Sequence, residues 1–298
     1  MNQIGKLGVW ANTNGMKAPE AAAFAQRVEK WGYSALWIPE AAGRNALVHA
    51  SWLLANTTKL VIATGIANIY ARDPMATLCG QMTLDEQSGG RFLLGLGVSH
   101  APMVEKVRGH NYGKPVATMR EYLAAMAKVN FDAPKPAERP RTVLAALGPK
   151  MLELSRDQAD GAHPYFSTVE HTVEARRILG KDKIGKDKWL CVEQMVLLDT
   201  DPVRARATAR KQAVRYLALP NYRNNLLRLG FTEADVSNGG SDKVIDAVFA
   251  WGDEKAIRAR IQAQWDAGAD QVCIQALHPE GAFLPDETLL EKLAPAKG

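Results

Sequence analysis

Several residues of this 298-residue chain stand directly after apolar runs and could do chemistry there. Glu40 follows the run Ala35 to Pro39, and is either a surface carboxylate or a group at the edge of a site. Gly65 and Ile66 sit late in an apolar run that leads on to Asn68. A glycine inside a strand marks a bulge, a bend, a close approach to a ligand, or a packing need. Leu94-Gly95-Leu96-Gly97-Val98-Ser99-His100 contains a Gly-x-Gly. As a dinucleotide fingerprint it fails, because His100 stands where the third glycine belongs and no ribose-binding acid follows on schedule. His100 is then either structural or a group that moves a proton near neutral pH.

In Leu147-Gly148-Pro149-Lys150, a proline in the first helical position and a glycine before it leave free N–H groups beside a lysine. That pattern suits a phosphate, or is an ordinary strand-to-helix turn. Tyr165-Phe166-Ser167-Thr168 brings hydroxyls, although Ser167 and Thr168 equally suit a helix cap. The six histidines show no paired helical spacing, so no metal constellation is expected. Neither a nucleophile elbow nor a Walker loop is present. Any difficult chemistry falls to an organic cofactor.

The elements that must position these groups alternate between short β-rich runs and amphipathic helical ones, which argues for a parallel sheet of βα units. Eight strands are expected, at 6–10, 35–39, 60–66, 91–97, 142–146, 161–165, 189–198 and 271–277. Between them, Pro19 opens a helix with Phe24, Val28 and Trp31 on one face, and Gly32 stops it. Asp201-Pro202 opens another that turns Ala205, Ala209, Ala213 and Leu217 inward. Met119, Tyr122, Met126 and Val129 mark a third, and Ile257, Ile261 and Trp265 a fourth ending at Gly268. The passage through Gly32-Tyr33-Ser34 into Ala-Leu-Trp-Ile is echoed by Gly268-Ala269-Asp270 into Gln-Val-Cys-Ile, as a ring of repeated units would require. An open doubly wound sheet is the rival topology. The proline-rich stretch 131–140 reads as an exposed linker, and residues 219–251 as a mostly helical insertion after the seventh strand. In such a fold the ligand lies at the C-terminal ends of the strands, where the residues above are found.

Composition fits a globular protein with a large core: 47% of residues are apolar and 23% charged. The net charge of +5 arises from 37 basic and 32 acidic residues interspersed along the chain, which is no nucleic-acid stripe. Cys79, Cys191 and Cys273 are far apart and odd in number, as reduced thiols in a reducing compartment would be. No secretory signal or membrane-length apolar stretch is visible, so a cytoplasmic location without membrane contact is expected.

The segments Gly32 to Glu40, Ala63 to Asn68, Leu84 to Arg91 and Gly148 to Leu152, taken together and in order, resemble the luciferase-like monooxygenase superfamily. Within it the resemblance is to the deazaflavin (coenzyme F420)-dependent oxidoreductases of actinobacteria and methanogens, and it spans essentially the whole chain. It implies an α/β fold, a single-domain (β/α)8 TIM-like barrel over residues 1–298 with a helical insertion after strand seven. An isoalloxazine-type ring would cross the C-terminal mouth, supported by a bulge with a non-prolyl cis peptide at Gly65-Ile66. Glu40 and Asn68 would meet the ring's polar edge, with Gly97 close by. Leu147, Gly148, Pro149, Lys150, Tyr165 and Thr168 would hold the tail phosphate. The resemblance makes His100 the candidate general acid and Glu40 a second catalytic group.

Relatives often carry Asp-His after the second strand where this chain has Glu40-Ala41, so reduction of an activated C=C or C=O bond is expected rather than alcohol oxidation through that histidine. An FMN-dependent monooxygenase is the alternative, and a non-catalytic flavin-binding paralogue the alternative of another class. The expected partners are a small-molecule substrate and a second copy of the chain, joined through the apolar helices around Trp52 to Leu54 and Met75 to Met82.

Overall fold

Each β-rich run is buried on both faces, and such strands pair in parallel with helices covering the outside. The computed structural model describes residues 4–180, 188–281 and 284–295; residues 1–3, on which part of the reading of the amino terminus rests, lie outside them. In chain order the elements are β1 (Leu7–Trp10), α1 (Ala18–Lys30), β2 (Ala35–Ile38), α2 (Ala46–Ala55), β3 (Val61–Thr64), β4 (Ala67–Asn68), α3 (Pro74–Ser88) and β5 (Phe92–Gly97). A π-helical turn (Pro102–Val107), α4 (Pro115–Met126), β6 (Arg141–Leu144), α5 (Pro149–Gln158), β7 (Gly161–Ala162), α6 (Val169–Leu179) and β8 (Trp189–Leu198) follow. The chain continues through α7 (Pro202–Leu217), α8 (Pro220–Arg228), α9 (Asp242–Val248), β9 (Ala250–Gly252), α10 (Glu254–Asp266), β10 (Gln271–Ala276) and α11 (Glu287–Lys292).

All pairings are parallel and run β1-β2-β3-β5-β6-β7-β8-β10 and back to β1, which closes an eight-stranded barrel. The open doubly wound sheet is thereby excluded. Alternation along each strand sorts the side chains. Trp10, Ala35, Trp37, Ala63, Leu93, Val143, Trp189, Cys191 and Cys273 pack together as the barrel's filling. Their neighbours, among them Val9, Leu36, Ile38, Ile62, Phe92, Leu94, Val192 and Ile274, pack with the helices in the main core.

The helix boundaries follow the expected caps. Asp201 accepts from the N–H groups of Val203 and Arg204 to start α7, whose Ala205, Ala209, Ala213 and Leu217 are buried. Gly32 adopts φ +90 just past α1, a conformation that favours glycine. Two expectations need correction. The third strand does not run through 60–66 but ends at Thr64 and resumes as β4, which pairs β5 beyond an interruption. The sixth shrinks to Gly161–Ala162. The insertion carries α8 and α9, and its end adds a strand that the sequence does not announce: Ala250–Gly252 forms β9, which pairs the outer end of the ten-residue β8. Three residues carry too little periodicity to announce a strand.

The barrel tolerates no side chain at one point between β3 and β5. Gly95 donates its N–H to Thr64 Oγ1 at 2.8 Å, and that hydroxyl donates to Gly95 O at 2.8 Å. A Cβ on Gly95 would lie 2.0 Å from the Thr64 carbonyl oxygen, so backbone would have to move. Gly95→Ala should therefore lower stability by roughly 1–3 kcal/mol, the usual cost of overpacking, read as a shifted urea midpoint at unchanged slope.

Candidate active site at the barrel mouth

The ends of β2 and β4 are joined by one buried carboxylate. Glu40 accepts the Asn68 N–H at 2.8 Å and the Ala46 N–H at 3.2 Å, and pairs with the Arg72 guanidinium. Only 3% of its side chain is exposed and 9% of that of Arg72. Three donors converge on Glu40, so its carboxylate is committed to holding its neighbours. Asn68 is locked in turn, its Oδ1 accepting the Tyr70 N–H at 2.9 Å. The Asn68 Nδ2 donor is buried with no protein partner. An amide fixed at one end and unsatisfied at the other suits a ligand's polar edge.

Between β3 and β4 the Gly65-Ile66 peptide bond is cis. Trp10 Nε1 donates to Gly65 O at 3.1 Å, and a Cβ on Gly65 would lie 2.7 Å from that indole nitrogen. Ile66 leans over Gly97, where a Cβ would lie 2.5 Å from its side chain. Gly65, Ile66 and Gly97 thus make one surface at the mouth, with Asn68 beside it. Below lies His163, stacked on Trp37 at 4.2 Å with its Nδ1 2.8 Å from Cys191 O. That contact fixes the Nδ1–H tautomer, and burial holds the imidazole neutral by pushing its pKa down to about 4.

His100 follows β5 and faces the insertion, 5.5 Å from the Tyr222 ring. Burial lowers its pKa, and a hydrogen bond with Asn221 opposes this. At neutral pH the imidazole therefore carries no spare proton. The end of α7 brings in Tyr216, its hydroxyl 2.6 Å from that of Tyr165. Tyr165 donates to Gln275 Oε1 at 2.8 Å and leans on Trp10 at 5.2 Å. The Tyr165 hydroxyl is thus engaged within the mouth rather than turned to a phosphate site. A cavity of about 90 Å³, lined in part by Trp10, Asn12, Tyr216, Gln275 and Leu277, is what these aromatic groups leave. A larger one of about 430 Å³ lies between β9 and α10 and includes none of these residues.

Beside the mouth, Gly148 caps α5 without a side chain, and nothing lies within 4 Å of where its Cβ would be. Pro149 and Lys150 open that helix. Thr168 caps α6 by accepting the His171 N–H at 3.3 Å, and His171 Nε2 lies 2.8 Å from Leu147 O. Ser167 Oγ, His171 Nδ1 and Asn225 Nδ2 are buried without protein partners. The Ser167 hydroxyl and the Asn225 amide, together with a helix N-terminus, fit an anion, whereas His171, whose Nε2–H donates to Leu147 O, keeps an acceptor at Nδ1. Among the described residues no group of three or more His, Cys, Asp or Glu side chains is placed to hold a metal.

A model of the luciferase-like monooxygenase family matches residues 4–271. The chain belongs to that family. A Mycobacterium tuberculosis protein provisionally named a coenzyme F420-dependent oxidoreductase is 29% identical over 250 residues, covering 71% of this chain and 72% of its own. Among solved structures, an F420-dependent secondary alcohol dehydrogenase in complex with an F420-acetone adduct superposes with a TM-score of 0.73 at 17% identity, over 97% of this chain and 96% of that one. The FMN complex of the oxygenating constituent of 3,6-diketocamphane monooxygenase from Pseudomonas putida gives 0.71 at 16%, again over 97% and 96%. At these identities the two structures speak for the shared barrel alone.

In this luciferase-like barrel, Gly65, Ile66, Asn68, Gly97, His100 and Tyr165 gather at the mouth, while Leu147, Gly148, Pro149, Lys150 and Thr168 form the rim beside it. Sequence reasoning missed Trp10, Glu193, Tyr216, Tyr222 and Gln275. The inward alternation of β1, β8 and β10 could have found Trp10, Glu193 and Gln275; nothing local marks the two tyrosines. Removing the Glu40 charge leaves a buried guanidinium unpaired. Glu40→Gln should cost roughly 3–5 kcal/mol in urea unfolding at pH 7, and Arg72→Met added to it should recover much of the loss.

Proposed function

We propose that this chain is an oxidoreductase that transfers hydride between a reduced deazaflavin of the coenzyme F420 type and a small organic substrate carrying an activated C=C or C=O bond. The observation that carries the reading is the position of the unsatisfied buried donors: Asn68 Nδ2 beside the Gly65-Ile66 surface, and Ser167 Oγ beside the open N-terminus of α5. One suits the polar edge of a ring and the other its tail phosphate, which is support from the fit of donors rather than from a bound ligand. The names of the mycobacterial relative and of the F420-bound alcohol dehydrogenase support the same cofactor.

When bound, the deazaflavin supplies the hydride. In this proposal Gly65, Ile66 and Gly97 support its ring, Asn68 donates to the ring's edge, and Glu40 acts through Asn68 by holding it. Leu147, Gly148, Pro149, Lys150 and Thr168 surround the phosphate, with the Ser167 hydroxyl donating to it. His100 and Tyr165 face the substrate. The second reading, an FMN-dependent monooxygenase, is favoured by the FMN-bound neighbour, since the same rim would hold either phosphate.

The outward faces of α2 and α3 leave Val48, Trp52 and Met75 exposed, at 70%, 42% and 59%. We propose that a second copy covers them. Sedimentation should give twice the mass of the chain, and Val48→Asp with Met75→Asp should halve it at unchanged melting temperature; a single-chain mass for the parent protein sinks this idea.

Fluorescence titration separates the cofactors: the deazaflavin should bind at least tenfold more tightly than FMN, about 1.4 kcal/mol. Ser167→Ala should weaken it about tenfold or more, from the roughly 1.5–3 kcal/mol of a hydrogen bond to a charged group. His100→Ala should lower turnover by roughly 2–10-fold, the worth of one neutral hydrogen bond to the substrate, with cofactor affinity nearly unchanged. Tighter binding of FMN would transfer the assignment to the monooxygenase reading.

A further inference from the structure

The small cavity at the mouth presents more hydrogen-bond donors than acceptors. It lies where β1, β10 and the end of α7 meet, encloses about 90 Å³, and takes its polar lining from Asn12, Gln212, Arg215, Tyr216 and Gln275. Tyr165 gives its single O–H to Gln275 Oε1 at 2.8 Å, so in the 2.6 Å contact between the two phenols Tyr216 is the donor. The chain from Tyr216 through Tyr165 to Gln275 therefore has one direction, and it leaves the Gln275 NH2 to the cavity. Asn12 repeats the pattern: its Oδ1 accepts the Asn14 N–H at 3.0 Å, which leaves its NH2. Trp10, with its indole N–H on Gly65 O, adds an apolar wall.

Arg215 brings positive charge to this lining, and among the described residues no acidic side chain joins it there. A guanidinium beside amide N–H groups matches a planar acceptor with two oxygens, which is a carboxylate. The volume agrees: it equals roughly three waters at ~30 Å³ each, the bulk of a carboxylate and its carbon rather than of a ring system. The position keeps this cavity apart from the rim. In the ring β1-β2-β3-β5-β6-β7-β8-β10, the strand β6, whose turn into α5 carries the rim, stands opposite β1. Trp10 ties the cavity instead to the reacting side, since it bonds Gly65 and leans on Tyr165 at 5.2 Å.

We propose that this cavity is a carboxylate subsite: the molecule reduced is a small unsaturated or keto acid whose carboxylate is held by Arg215 and by the amide N–H groups of Gln275 and Asn12, with its C=C or C=O bond toward Tyr165. The inference rests on the reading of this mouth as a site of hydride transfer, and it names the substrate class which that reading leaves open. The acceptor's π bond breaks as one carbon takes the hydride and two electrons from the reduced deazaflavin, which is oxidised. The neighbouring atom takes a proton drawn from water, and the carboxylate is unchanged. Gln275 serves both ends, since its NH2 meets the carboxylate and its Oε1 aligns the Tyr165 hydroxyl. Seated here, the anion keeps a cation and donors in exchange for its hydration.

The test begins without cofactor. In an NMR titration of the whole protein, levulinate should shift the side-chain amide signals of Gln275 and Asn12 and bind roughly 10–100-fold more tightly than its methyl ester. Arg215 is exposed, so Arg215→Met should bring that ratio to about one at unchanged melting temperature, while Arg215→Lys should keep part of it. With reduced F420, kcat/KM for acetylacrylate should exceed that for its methyl ester by a similar factor, although the ester is the more electron-poor alkene, and the difference should lie in KM. Equal affinity for acid and ester, a preference that survives Arg215→Met, or displacement of levulinate by inorganic phosphate at equal concentration overturns the proposal. If the deazaflavin binds and the ester is reduced as well as the acid, hydride transfer stands and the carboxylate subsite fails. If levulinate binds through Arg215 but no deazaflavin binds, the subsite stands and the functional reading fails.

Discussion

A carboxylate shut away from water binds the second strand of this barrel to the continuation of the third. Glu40 has nowhere to place its charge except on Arg72 and on the N–H groups of Asn68 and Ala46. Removing either charge would leave the other desolvated, which is why such pairs are hard to break. The consequence reaches the mouth directly. With its N–H on Glu40 and its Oδ1 on Tyr70, Asn68 cannot rotate its remaining donor away. The surface of Gly65 and Ile66 is fixed between that point and the Trp10 indole. Rigid placement of a few donors around an apolar shelf is what a cofactor site needs, and here it follows from one ion pair.

Much of this was legible because barrels write themselves into sequence by alternation. Runs buried on both faces, glycines late in strands and proline at first helical turns placed the strands, the capped helices and the residues around Gly65, His100 and Gly148. What remained hidden depends on tertiary meeting. Glu40 at the end of a strand reads the same whether it faces a ring or an arginine 32 positions away. Tyr216 ends α7 and Tyr222 lies in the helical insertion, and the pattern of either helix says only which face is buried; that they arrive over the mouth is decided by the packing of Phe166 against both, at 4.9 and 5.6 Å. β9 was too short to show a period. Glu193, the one charged residue in a ten-residue strand that is apolar but for it and Gln194, was the audible signal that strand reading passed over.

The unsatisfied groups follow a pattern of their own. A buried donor or acceptor without a partner costs roughly 1–3 kcal/mol, so a protein accumulates few without reason. Among the described residues, Asn68, Arg72, Arg108, His163, Ser167, His171, Glu193 and Asn225 each retain such an atom; Arg72 and Arg108 bond the segment after β2, and the rest belong to the mouth, its rim or the insertion over them. The helix-facing core, by contrast, is closed by apolar contacts, aliphatic and aromatic. Stability is conceded on the side of the molecule where a ligand can restore it.

The same side is electrically quiet. His100 and His163 are shifted toward neutrality by burial, Tyr165, Tyr216 and Tyr222 are kept protonated, and Glu193 is held as an acid. Among the described residues, charge stands at the edges: Lys150 at the start of α5, Arg215 in the lining of the small cavity, and the Glu40–Arg72 pair. A mouth built this way discriminates by region. An anionic tail gains from the rim's helix dipole and free donors, whereas an anionic substrate pressed into the aromatic cluster would lose its hydration with no cation from those side chains to replace it.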